Sequence, residues 1–267
     1  MVDSMETSTR RNIRYRTYGR GGPKVVLLHG GMQTSANLSR LAAELAGTFT
    51  VYVPDRRGRG LSGPAGDEHG LRTEIDDLAA VLEETDAGNV FGLSSGAVVA
   101  LNAALELPRI ERLALYEPPL RYAGHDPVGW RPRYEKELAA GRVTAAFVTA
   151  AKGTGEFRRV PRAVLMPLVA AGVRGNRELA ELVPTMRQDA AVVADATGPL
   201  DRYAQVAAET LLLGGERSTA YLKAVLNGLE PVLPRVRRVT LTGVGHLAAE
   251  NSGKPALVAA ELRKFFG

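Results

Sequence analysis

The residues that first suggest chemistry are Gly92-Leu93-Ser94-Ser95-Gly96, set between the apolar run Val90-Phe91 and a stretch rich in Ala and Val that begins at Ala97. A serine framed by glycines at this spacing, where a strand passes into a helix, is the sequence form of a nucleophile elbow. In such a turn the serine takes strained backbone angles that thrust its hydroxyl into a cleft. The glycines stand where a Cβ would collide with the neighbouring strand and helix. Ser94 alone fits the frame, because two residues either side of Ser95 stand Leu93 and Ala97. Ser95 offers instead a backbone N–H that opens the following helix and is free to hold a negative oxygen. A glycine-rich turn with two capping serines would read the same over five residues, so the rest of the chain has to decide.

A neutral serine hydroxyl is a poor nucleophile. It needs a histidine to take its proton and a carboxylate behind that ring to fix the tautomer and stabilise the imidazolium. The chain has four histidines, His29, His69, His125 and His246. His29 ends a buried run and enters the loop Gly30-Gly31-Met32, His69 falls in a Gly-rich surface segment, and His246 closes Gly243-Val244-Gly245-His246.

The elements that must position these residues alternate. Asn12 to Tyr18 reads as an antiparallel edge strand, and Val25 to Leu28 as a strand buried on both faces. Ser35 to Ala46 follows as a helix, Phe49 to Val53 as a strand, and Pro54-Asp55-Arg56-Arg57-Gly58-Arg59-Gly60-Leu61-Ser62 as a turn tied by Asp55. Leu71 to Glu84 carries apolar residues at helical spacing, the elbow helix runs to about Leu107 before Pro108, and Arg112 to Tyr116 is another buried strand closed by Glu117-Pro118-Pro119. From Leu120 to about Ala208 the alternation stops. Helical segments at Arg133 to Ala151, Pro161 to Ala171 and Glu178 to Ala194 suggest a cap inserted into the sheet domain. Strands then resume at Glu209 to Leu213 and Val236 to Thr242, with helices at Thr219 to Leu229 and Pro255 to Phe266. The expected division is therefore a core of residues 1–119 and 209–267 and a helical cap of 120–208.

The 267 residues are long enough for one α/β domain with such an insertion, and 45 % hydrophobic with 24 % charged residues is ordinary for a globular protein. The net charge of +5 comes from arginines dispersed among acids, without an aromatic-interleaved stripe, so nucleic acid is not an expected partner. No run is long enough to span a membrane, and the polar stretch Met1 to Arg11 has no apolar signal core, so a cytoplasmic location is expected. There is no cysteine, no metal-ligand cluster and no nucleotide loop, so no cofactor and no metal are expected.

The strand order, the His29-Gly30-Gly31 loop, the elbow and the late Gly245-His246 together resemble the α/β-hydrolase superfamily across nearly the whole chain. That resemblance implies a mostly parallel central sheet with a helical cap inserted after the strand ending near Glu117. It also implies Ser94 as nucleophile, His246 as base, and oxyanion donors from the backbone of Ser95 and of Gly31 or Gly30. The acid departs from the commonest pattern, because the loop after the penultimate strand, Gly214-Gly215-Glu216-Arg217-Ser218, has no aspartate. Glu216 is one alternative, beside Arg217 and suited to a surface ion pair. Glu117 is the other and is preferred, since it stands at the carboxyl end of a strand where open α/β sites collect. Leu115-Tyr116-Glu117-Pro118-Pro119 and Leu93-Ser94-Ser95-Gly96-Ala97 are similar to fungal zearalenone-lactone hydrolases, whose acid is a glutamate after this strand. An apolar wall from Met32, Trp130, Tyr134 and Met166, with Tyr122, Phe147, Phe157 and Met186, would suit a neutral ester or lactone, a zearalenone-like macrolactone among them. A serine at the elbow argues against haloalkane dehalogenases and epoxide hydrolases, which need an aspartate there. A carbon-carbon bond hydrolase, a natural-product cyclase and a non-catalytic ligand-binding member stay open, as does the oligomeric state.

Overall fold

The computed structural model describes residues 4–8, 11–155, 157 and 159–267. One eight-stranded sheet organises it, in the order β1-β2-β4-β3-β5-β6-β7-β8. The strands are β1 (Ser4–Ser8), β2 (Ile13–Tyr18), β3 (Lys24–Leu28), β4 (Thr50–Pro54), β5 (Asn89–Leu93), β6 (Arg112–Tyr116), β7 (Glu209–Gly215) and β8 (Val236–Leu241). The first two run antiparallel to their neighbours, and the others are mutually parallel. β2 is therefore not the edge strand that its alternation suggests, because β1 pairs outside it from Ser4↔Thr17 to Ser8↔Ile13.

The central strands are apolar on both sides because helices cover both. On one face Val26, Leu28, Val90, Leu113, Leu115 and Leu212 pack under α2 (Leu71–Thr85), α3 (Ser95–Ala103) and α9 (Ala220–Leu229). On the other, Val25, Leu27, Phe91, Ala114, Leu211 and Leu213 meet α1 (Ser39–Leu45) and α10 (Pro255–Phe266). A one-residue slip in any of these strands would exchange the two cores, so register is firmly set.

Between β6 and β7 lie α4 (Arg131–Ala139), α5 (Val143–Gly153), α6 (Arg162–Gly175), α7 (Arg177–Leu182) and α8 (Met186–Asp195). The run from Arg133 to Ala151 is two helices rather than one, broken by Gly141 at φ +67°, a left-handed turn that ends α4. Tyr134, Ala146, Ala150, Val183 and Met186 form a small core within this insertion. The far end of α8 belongs elsewhere: Val192, Val193 and Ala196 are buried in the main core with α2 and α3. Among the described residues no helix is long and apolar enough to cross a membrane.

Candidate active site

Ser94 follows β5 at φ +55°, ψ −120°, and its N–H is tied to Tyr116 O at 2.9 Å, so the neighbouring strand holds the strained turn. The flanking glycines are steric requirements. A Cβ on Gly92 would stand 2.5 Å from Ala97 Cα, and one on Gly96 2.5 Å from His29 O. α3 starts immediately afterwards, leaving the Ser95 N–H without an intrahelical acceptor.

Glu117 and His246 meet across two strand ends. Glu117, wholly buried and at φ +49°, directs Oε2 to 2.7 Å from His246 Nδ1, while Oε1 accepts the Gly215 N–H at 2.7 Å. That contact leaves His246 Nε2 without a hydrogen-bond partner among the described residues. Tyr116 steadies the loop, its hydroxyl donating to Gly245 O at 2.7 Å; burial, then the Glu117 charge, pushes this phenol well above its ordinary value and keeps it a donor. Glu216 is placed differently. It is exposed, and its Oε2 accepts the Gly243 N–H at 2.7 Å.

Ser94 and His246 line two adjoining cavities. One, about 50 Å³, is also bounded by Gly31, Ser95, Trp130, Met186 and Asp189. The other, about 330 Å³, is bounded by Met32, Phe147, Phe157, Leu179, Met186 and Leu247. Among the described residues Ser94 Oγ has no hydrogen-bond partner, so the hydroxyl is free within the cleft it shares with the imidazole.

Four expectations are corrected. The Gly30 N–H is donated to Gln33 Oε1 at 2.8 Å and cannot serve an oxyanion, whereas the Gly31 N–H has no acceptor among the described residues. Tyr134 is fully buried with its hydroxyl on Val183 O at 2.6 Å, so it packs the insertion and does not line the cleft. Met166, half-buried on α6, lines neither cavity. Trp130 and Met32 do line them. His125 is exposed at the mouth of the smaller cavity, its ring 3.8 Å from that of Tyr221. His69 is not at the surface: its side chain is 4 % exposed, with Nε2 3.2 Å from Glu74 Oε1.

Beneath the cleft lies an ionic cluster that sequence reading missed. Asp189 of α8 accepts the Ser95 hydroxyl at 2.7 Å and Arg56 NH1 at 3.0 Å through Oδ1, and Arg59 NH2 stands 3.0 Å from Oδ2. Arg56 also makes two hydrogen bonds to Glu74, at 2.9 and 3.0 Å. The two guanidinium groups thus face two carboxylates, all buried. Burial would raise the Asp189 carboxyl, but the charges of Arg59 and Arg56 outweigh it and hold the group below its ordinary value. Glu74 is likewise lowered, burial being outweighed by the charge of Arg56 and by the close approach of the His69 ring and the Arg56 guanidinium. His29 is in contact with the same cluster. Its Nε2 accepts the Arg56 backbone N–H at 3.1 Å, which requires Nδ1–H to donate to Gly30 O at 2.9 Å. Burial, with the charges of Arg59 and Arg56, pushes its pKa down to about 3, so the ring is a neutral strut under the Gly30-Gly31 loop. The signal for this cluster was two arginines inside a Gly-punctuated turn, which composition alone gives no reason to bury.

Among the described residues no group of three or more His, Asp or Glu is arranged to hold a metal ion. The sequence model of the alpha/beta hydrolase family matches residues 25–261. The crystal structure of an alpha/beta hydrolase from Sphaerobacter thermophilus is similar at 34 % identity and a TM-score of 0.79, covering 99 % of this chain and 100 % of that one. The pimeloyl-[acyl-carrier protein] methyl ester esterase of Xanthomonas oryzae pv. oryzae is 24 % identical over 91 % of this chain and 95 % of its own length. The enol-lactonase of Burkholderia xenovorans shares the fold, with a TM-score of 0.70 at 20 % identity over 99 % of this chain and 97 % of that one. An elbow, a carboxylate-bound histidine and a family model reaching from β3 into α10 agree, and the chain belongs to the alpha/beta hydrolase family as a hydrolytic enzyme.

Proposed function

We propose that this hydrolase cleaves a carboxylic ester or lactone through an acyl-enzyme, with Ser94 as nucleophile, His246 as general base and acid, and Glu117 as the carboxylate behind the imidazole. Ser94 Oγ attacks the carbonyl carbon as its proton passes to His246 Nε2. The tetrahedral oxyanion rests on the backbone N–H groups of Ser95 and Gly31, each lowering the barrier by on the order of 3 kcal/mol. Collapse expels the alcohol, which takes the proton from His246. Water, deprotonated by the same imidazole, then attacks the acyl carbon and releases the acid.

The observation that carries this reading is the 2.7 Å contact of His246 Nδ1 with a wholly buried Glu117, on a ring that shares its cleft with the unbonded Ser94 hydroxyl. The methyl ester esterase similarity supports an ester. The apolar lining by Trp130, Phe147 and Met186 supports an acyl group of moderate size, with macrolactones of the zearalenone kind within the same panel. The insertion carrying α4 to α8 acts as the cap over this pocket. A fluorophosphonate probe tests the assignment. Wild-type protein labels at Ser94 and turns over nitrophenyl esters, and Ser94→Ala loses both. Labelling that survives in Ser94→Ala, or no labelling of the wild type, rejects it.

A further inference from the structure

His246 also lines a third cavity, a groove of about 390 Å³ between the loop after β8 and the start of α9. Its charged lining is of one sign. Arg217 and Lys254 border it, both exposed and neither in an ion pair, and no carboxylate lines it among the described residues. The neighbouring acids do not line it and are already bonded: Glu216 accepts the Gly243 N–H, and Glu250 accepts hydrogen bonds from Gln33 and Ser252. Ser218, which lines the groove and is 8 % exposed, has an Oγ with no partner. Thr219, the N-cap of the ten-residue α9, also lines it.

Resting on the reading of Ser94 and His246 above, we infer that the leaving-alcohol half of the substrate carries an anionic group, a phosphate or a carboxylate, that seats in this groove. The proton that His246 returns goes to the leaving oxygen, so that oxygen lies against the imidazole and the rest of the alcohol continues along the histidine's side. The groove begins at the same residue. Two cations and an unpartnered hydroxyl supply donors for an anion. The acyl side is less suited to one, since its acidic lining residues are Asp189, already engaged by Arg56 and Arg59, and Glu250.

Three butyrate monoesters with a common acyl group test this: those of glycerol, of glycerol 3-phosphate and of glyceric acid. Wild-type kcat/KM is expected to be at least about tenfold higher for one or both anionic esters, with the larger gain naming the group, and to fall toward the glycerol ester as salt is added. In the double variant Arg217→Gln/Lys254→Gln the preference collapses through KM while hydrolysis of the glycerol ester is retained. Ser218→Ala raises KM for the preferred anionic ester alone. Equal efficiency on all three esters in the wild type, or an equal loss on all three in the double variant, overturns the inference. Binding of glycerol 3-phosphate, glycerate and glycerol to Ser94→Ala protein, followed by NMR, separates the two claims. Anion-selective binding lost with Arg217 and Lys254 upholds the groove even where no ester turns over, whereas no selectivity rejects the groove and leaves the hydrolase reading standing.

Discussion

Glu117 holds His246 through one oxygen and the Gly215 N–H through the other. Replacement by glutamine removes the charge and offers an amide that can impose the wrong tautomer on the ring. Glu117→Gln is expected to lower kcat by on the order of 10⁴ with KM little changed, while Glu216→Gln stays near wild type. Steady-state kinetics on one nitrophenyl ester decides between the two acids. At this scale the sequence is legible where chemistry imposes a spacing. Ser94 stands out because only glycine fits at 92 and 96, and Glu117 was recoverable as a carboxylate at a strand end. Asp189 could not be found in the same way, because nothing local in Met186-Arg187-Gln188-Asp189 says that this acid turns inward to Arg56 and Arg59. Gly31 was the preferred donor of its loop, and Gly30 is removed as the other candidate because Gln33, three residues on, occupies its N–H.

The elements show the same division. Strands buried on both faces, β3, β5, β6 and β7, were readable to within a residue or two because an uninterrupted apolar run has few other uses. β1 was not, since Ser4–Ser8 has no apolar run and is defined by its backbone pairing with β2. The joint between β5 and α3 has no slack. Gly96→Ala would drive a methyl to 2.5 Å from His29 O and 2.7 Å from Leu28 O, so this variant is expected to be recovered as insoluble or strongly destabilised protein. α8 is fastened differently, through a charged side chain rather than a close backbone. Asp189→Asn leaves Arg56 and Arg59 to share Glu74 and is expected to cost about 3–5 kcal/mol in urea unfolding. Asp189→Asn combined with Arg59→Met should recover part of that loss, since it removes the charge left without its partner.

Across the whole molecule, net charge says little, because the arginines are spread and several are spent internally. The buried titratable groups say more. His29 has its folded pKa depressed to about 3 from 6.5, so between those values the unfolded chain holds a proton that the folded one does not. Stability is therefore complete above about pH 6.5 and declines as pH falls toward 3, at about 1.4 kcal/mol per unit, or about 2 kcal/mol by pH 5. The lowered carboxyls of Glu74 and Asp189 act in the same direction, their contribution being lost further into acid. Urea midpoints at pH 7, 6 and 5 should show this slope, and His29→Gln should flatten it over that range while leaving the steeper loss at lower pH.

Because Asp189 is bonded to the hydroxyl of the residue beside the nucleophile, α8 cannot lift without stranding two guanidinium groups in a dry interior. The molecule is thus no hinged jaw. Any opening of the insertion for substrate and product is therefore expected to leave α8 in place. Residues 131–182 supply Phe147, Ala151 and Leu179 to the larger cavity, so grafting that stretch from a relative is expected to change which acyl groups are admitted.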